Sequence, residues 1–322
     1  MEEASALEMN TRRPDGPRVR QVLMAQLAFC VLGSLLAAML FQLVAIAAGW
    51  DTEVLRSGFS ADAPPEKVWQ MRLLLGLSHL FTFVVAGAAT VRVFYPVTDF
   101  TQSWNLDWPG YLGARRWPSP AVLGTAILLL LTSLPLVLFS FNLNKLIPLP
   151  ETLRMLENDS TEALKALLRM ETPLELLANL TLLAVLPALG EELVFRGILQ
   201  RQLMRRIANP WVVILLSGAI FSFIHFQFEG FLPRWLLGVL LGWLYWRTGN
   251  FWVPVLAHFA NNALQVVGQY LYGQKLTTVD LEQDVQIPWL AALMSAALVV
   301  VVARLLDRQL LAETVPSSSS NP

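Results

Sequence analysis

Cysteine, histidine and charge are all scarce in this chain, and each scarcity closes off some chemistry. Its 322 residues include a single cysteine, Cys30. An intramolecular disulfide and a thiol cluster for metal are therefore excluded, and a thiol inside a long apolar run is not expected to act as a nucleophile. Only 15% of the residues are charged while 55% are hydrophobic, with a mean hydropathy of +0.52. Soluble domains carry about a quarter charged residues, so this composition points to the membrane. The sequence has no glycine-rich phosphate loop, no repeat of fixed period and no His-Glu-x-x-His pair, which removes nucleotide loops, repeat architectures and the helix-borne zinc-protease signature. The net charge of -1 points to no charged partner, and no nucleic acid is expected to bind.

What the chain does have is length without charge. A helix needs about 20 mostly apolar residues to cross the hydrocarbon core. Eight stretches fit, approximately 21–49, 70–95, 120–143, 173–199, 211–227, 231–247, 251–272 and 287–306. The expected fold is an all-α membrane protein, a polytopic bundle of about eight transmembrane helices. If these alternate from a cytoplasmic N-terminus, thirteen Lys and Arg fall on the cytoplasmic side and nine on the other, with Arg196 set aside. That bias predicts both termini cytoplasmic, and the chain is expected to be an integral protein of a bacterial plasma membrane. The first stretch is about twice as long as a signal-peptide core and shows no small-residue cleavage site, so it is expected to remain as an anchor.

The chain divides on this reading into a disordered tail (1–20), N-terminal transmembrane helices and loops (21–172), a helical core (173–272), a loop with the last transmembrane helix (273–312) and a second disordered tail (313–322). Trp104, Trp108 and Trp117 read as aromatics at the headgroup level. Between 144 and 172, Leu153, Leu156, Leu164, Leu167 and Leu168 alternate with charges. That pattern suits amphipathic helices covering the bundle or lying on lipid.

Ionisable residues inside spans are costly and point to function by default. All three histidines, His79, His225 and His258, fall in predicted spans, together with Glu191, Glu192 and Arg196. In "GEELVFRG", Glu192 and Arg196 are four apart with the acid toward the N-terminus, the favourable order for a helical ion pair. Glu191 is turned about 100° from Glu192. It is left free to face a polar cavity, where a carboxylate could take a proton from water. Phe221 and His225 share a face in "WVVILLSGAIFSFIHF", as do His258 and Asn262 in "VPVLAHFANNALQVV". A histidine and an amide so aligned can converge on a developing oxyanion. His79 has no motif partner and reads as a helix–helix contact.

The ordered set E-E-x-x-x-R, F-x-x-x-H and H-x-x-x-N, present as "EELVFR", "FSFIH" and "HFANN", resembles the CPBP family of intramembrane proteases. That family includes the eukaryotic Ras-converting CaaX endopeptidase and bacterial immunity-type proteins. The resemblance covers about residues 173–268. It implies an intramembrane endopeptidase that hydrolyses membrane-associated proteins or lipidated, CaaX-type peptides. It also implies that Glu191 and His225 hold and activate the water, that His258 and Asn262 form the oxyanion hole, and that Glu192 and Arg196, with Phe221 beside them, organise the site or touch the substrate's end. Older labels of the family say metalloprotease, and Glu191, His225 and His258 would then be the zinc ligands. The missing His-Glu-x-x-His favours a reaction without cofactor. Two readings from other classes stay open, a non-catalytic binding or immunity protein and a proton-coupled transporter. The second is weakened because neither a repeated half nor a matched pair of short spans is present.

Overall fold

The computed structural model describes residues 17–50, 60–95, 108–278 and 286–314. Within them every regular element is helical. In chain order these are α1 (Val19–Ala48), α2 (Pro65–Phe94), a short α3 (Trp108–Leu112), α4 (Pro120–Asn144), α5 (Glu151–Leu168), α6 (Pro173–Met204), α7 (Pro210–Phe223), α8 (Phe231–Thr248), α9 (Trp252–Gly273) and α10 (Trp289–Thr314). Of the expected tails, 1–20 and 313–322, residues 1–16 and 315–322 lie outside the described residues, as do Trp104 and the side chains of Trp108 and Leu156. Val19 and Arg20 instead open α1, and Glu313 and Thr314 close α10, rather than being disordered.

All eight apolar stretches are helical, but five of the helices, α1, α2, α4, α6 and α10, are long and apolar enough to cross a membrane. Among the described residues, length and composition therefore support five spans and do not by themselves give eight. The reason is local. Helix α7 has 14 residues. Helix α8 carries Arg234, and α9 carries His258, Asn261, Asn262 and Gln265, which dilute their apolar character.

Helix starts follow the sequence chemistry. Proline occupies the first turn of α2, α4, α6 and α7, where its missing N–H costs nothing. Ser119 Oγ accepts from Val122 N at 3.2 Å, and Thr172 and Glu175 form a reciprocal capping box at the head of α6. Helix α8 ends where Gly249 takes φ 59°, a left-handed conformation suited to glycine. Helices α2 and α6 are not regular throughout. Wider π turns occupy Leu80–Val85, Leu180–Val185 and Leu193–Gln200. Such turns concentrate at functional sites because they re-aim the side chains around them.

Contacts between helix ends sort into two faces. On one, Arg205 donates to Pro17 O at 2.8 Å and Asn250 to Arg116 O at 2.9 Å. On the other, Ala61 N donates to Glu162 at 3.1 Å, Asn144 to Phe228 O at 2.7 Å and Gln274 to Met170 O at 3.3 Å. The amphipathic helix expected between 144 and 172 is α5, which belongs to this second face. Its Ala166 and Leu167 pack on Val68 and Met71 of α2. Leu27, Leu32, Leu35 and Met39 of α1 remain exposed, as a lipid-facing surface requires. The largest buried cluster joins α4, α7, α8, α9 and α10 through residues such as Leu129, Ile214, Leu244, Val253 and Leu306.

Candidate active site

Glu191 and Glu192 sit in α6 just before the π turn that begins at Leu193, and both are buried. Gly190 lets α6 approach α2 closely, because a Cβ there would come within 2.7 Å of Phe83 Cβ. The side chain of Glu191 faces α2, the turn that follows α7, and α9 together.

Three imidazoles surround Glu191. His79 Nε2 lies 3.7 Å from Oε1, His225 Nε2 4.0 Å from Oε1, and His258 Nε2 4.0 Å from Oε2. Each ring is braced through its other nitrogen. His79 Nδ1 is 3.2 Å from Leu75 O, His225 Nδ1 is 2.8 Å from Phe221 O, and His258 Nδ1 is 2.9 Å from Glu192 Oε1. A carbonyl or carboxylate oxygen only accepts, so each Nδ1 donates, and in the neutral rings each Nε2 is a bare acceptor turned to Glu191. Glu191, read from the sequence as free of Arg196, is thus ringed by three imidazoles just beyond hydrogen-bond length. His79, read there as a helix–helix contact, makes that contact from α2 to Glu191 of α6 and so belongs to the same cluster.

Glu192 has a different task. Its Oε1 accepts from Arg196 Nη1 at 2.7 Å and from His258, while Arg196 Nη2 donates to Gly238 O at 2.9 Å. The Arg196 guanidinium also lies over the Phe221 ring, 4.9 Å from its centre, and Phe221 meets the rings of His225 and His258 edge-on at 5.0 and 6.1 Å. Phe221 is thus the apolar centre about which the charged groups are packed. Gln200, one turn on, repeats the Arg196 pattern by donating to Gly242 O at 2.8 Å, which ties α6 to α8 along its length.

His225 does not lie on helix α7, where the apolar stretch 211–227 would place it. Helix α7 ends at Phe223, and His225 occupies the turn that follows, where Phe226 takes φ 52°. Glu157 of α5 holds this turn by accepting from Phe228 N at 3.2 Å and Glu229 N at 3.0 Å. Asn144, at the end of α4, holds it too by accepting from Leu232 N at 2.7 Å. Neither residue is singled out by the sequence pattern; the only signal is a carboxylate among the apolar positions of an amphipathic helix. Asn262 is one turn beyond His258 on α9, and its Nδ2 donates to Leu183 O at 3.0 Å. The second N–H of that amide is available to another acceptor. Among the described residues, no group of three or more His, Cys, Asp or Glu is arranged to hold a metal ion. Of the aromatics expected at the interface, Trp117 is exposed and stacks on Trp252 with ring centres 4.5 Å apart.

Residues 173–264 match the family model described as type II CAAX prenyl endopeptidase Rce1-like. The segment contains α6, α7 and α8 whole and the first half of α9, with every motif residue from Glu191 to Asn262. Two Bacillus subtilis proteins are similar. "Uncharacterized protein YpbD" is 36% identical over 93 residues, which cover 27% of this chain and 43% of that protein. "Putative membrane peptidase YdiL" is 27% identical over 113 residues, which cover 35% of this chain and 44% of that protein. The chain thus spans under half the length of the curated relatives it matches. No solved structure gives a significant match.

Proposed function

We propose, from the Rce1-like segment, that this chain is an intramembrane endopeptidase in which Glu191 activates water to hydrolyse a peptide bond of a membrane-associated substrate. The observation that carries the reading is the approach of His225 and His258 to the Glu191 carboxylate, each within 4.0 Å, inside the matched region. Hydrolysis by water needs a base, a stabiliser for the tetrahedral oxyanion and a route for the proton to the leaving nitrogen. Glu191 with His225 supplies the base. The second N–H of Asn262, and His258 once its Nε2 carries a proton, supply the donors for the oxyanion. Glu192 and Arg196 fix the His258 ring and the bend of α6, or reach the end of the substrate. A prenylated CaaX-type peptide is the substrate class the family match suggests, and both chain termini are taken as cytoplasmic.

The reaction is proposed without metal. The rings are directed at the two oxygens of one carboxylate rather than grouped as a ligand set. A zinc enzyme built on Glu191, His225 and His258 would differ in two measurements. Purified protein would contain about one zinc per chain, and a chelator would abolish cleavage until zinc was returned.

The primary test is quantitative mass spectrometry of peptide termini in host membranes, comparing wild type with Glu191→Gln at matched expression. The expected result is a set of termini present with wild type and absent with the variant. Identical profiles across growth conditions would overturn the protease reading and favour a binding or immunity role.

A further inference from the structure

We propose that His79 is a positioning residue of this site, whose Nε2 holds the proton that Glu191 takes from the attacking water; this rests on the protease reading above. The residue lies on α2, outside the matched segment 173–264, so the proposal adds a group that the motif region does not contain.

The argument starts from the ring's two nitrogens. Nδ1 is 3.2 Å from Leu75 O and donates to it, which leaves Nε2 of the neutral imidazole as an acceptor. That acceptor faces Glu191 Oε1 at 3.7 Å. An ionised carboxylate has no hydrogen to offer, so two acceptors confront each other just beyond hydrogen-bond length. A single proton satisfies both. It arrives when Glu191 takes one from water, because the Oε1–H then donates to Nε2. The contact is therefore stronger after proton transfer than before it, the condition under which an interaction lowers a barrier rather than merely binding substrate.

The proton count closes. Water loses one proton to Glu191 as its oxygen bonds the scissile carbonyl carbon. The tetrahedral intermediate then breaks its C–N bond, and the nitrogen leaves with the proton Glu191 held. His79 keeps that proton on the Oε1 side between the two events. Its ring is fixed for the task by Phe83, 5.7 Å away centre to centre, and by the π turn that begins at Leu80. The Leu75 bond and the Phe83 contact lie within α2, so a histidine that only joined helices would also use Nε2 toward Glu191, but equally before and after proton transfer, and its loss would lower stability rather than kcat.

That difference gives the test. An Asn side chain at 79 reproduces the short-range donor to Leu75 O but stops short of Glu191, whereas Gln reaches the Nε2 position with an amide that can accept. Wild type, His79→Asn, His79→Gln and Glu191→Gln are assayed in reconstituted vesicles on a synthetic peptide spanning a cleavage site found by the terminus comparison, with thermal melts alongside. We expect His79→Asn to lose roughly tenfold to a hundredfold in kcat with KM changed by less than about twofold, and His79→Gln to recover most of the rate. Wild-type kcat in His79→Asn would overturn the proposal. So would equal losses in both variants, whether or not the melts fall with them. Cleavage surviving in Glu191→Gln would instead remove the protease reading itself. An inactive Glu191→Gln beside two His79 variants that behave alike would remove only this inference.

Discussion

Removing water from Glu192 and Arg196, 0% and 1% exposed, is costly, and their 2.7 Å pairing offsets that cost only while both are present. Arg196→Met leaves a buried carboxylate with a single donor, His258, and should destabilise the protein by about 3–5 kcal/mol. The double variant Glu192→Gln/Arg196→Met removes both charges while keeping an acceptor for His258 Nδ1. It should recover most of that loss in a reversible unfolding measurement in detergent or bicelles. A double variant no more stable than Arg196→Met would mean that the pair's charges are not what holds this part of α6. This contact is legible in the sequence because four residues make one helical turn. The His79–Glu191 contact is not, because hydropathy reports that two stretches are helices and carries no information on which faces meet.

Elements fix what single residues cannot, and here the closeness of α2 and α6 decides the site. Gly190→Ala places a methyl against Phe83 and Val84, with no flexible chain end to give way. It should cost about 1–3 kcal/mol and reduce cleavage, because it separates Glu191 from His79. Gly124→Ala in α4 meets nothing within 4 Å and should be neutral or stabilising by up to about 1 kcal/mol. Thermal melts and cleavage rates of the two variants check the pair; equal behaviour would show that close helix approach does not limit the site. Helix α5 offers a second handle. Glu157→Ala removes the acceptor for the N–H groups of Phe228 and Glu229. Amide exchange in the turn 224–230 should quicken at least tenfold while α6 is unchanged, and kcat should fall as His225 loses its fixed place. Sequence periodicity placed the helices well but not their local departures. The π turns flanking Glu191 and the end of α7 at Phe223 arise from packing and from the Glu157 and Asn144 anchors, contacts far apart in the chain.

At the scale of the whole molecule the open question is which helices cross the bilayer. The helix-end contacts put the 205–209 loop with Pro17 and the 274–276 turn with Met170, on opposite faces. The chain therefore runs through the bundle in α7, α8 and α9 as it does in the five longer helices, although these three are short or polar. Their shortfall has a physical reason: His258 bonds Glu192, Asn262 bonds Leu183 O and Arg234 bonds Gln227, so these side chains turn toward protein, where the composition suited to lipid is not required. Because Cys30 is the only cysteine, Cys30→Ser gives a clean background for testing this. Ala208→Cys and Lys275→Cys each introduce one thiol at an exposed position. With an impermeant maleimide on intact cells, we expect Lys275→Cys to be labelled and Ala208→Cys to react only after the membrane is opened, as the Arg and Lys distribution requires for cytoplasmic termini. The reverse pattern would invert the protein and place its termini on the outer side. Labelling of both positions in intact cells would break the assignment of the two loops to opposite faces, and with it the inference that α7, α8 and α9 carry the chain across.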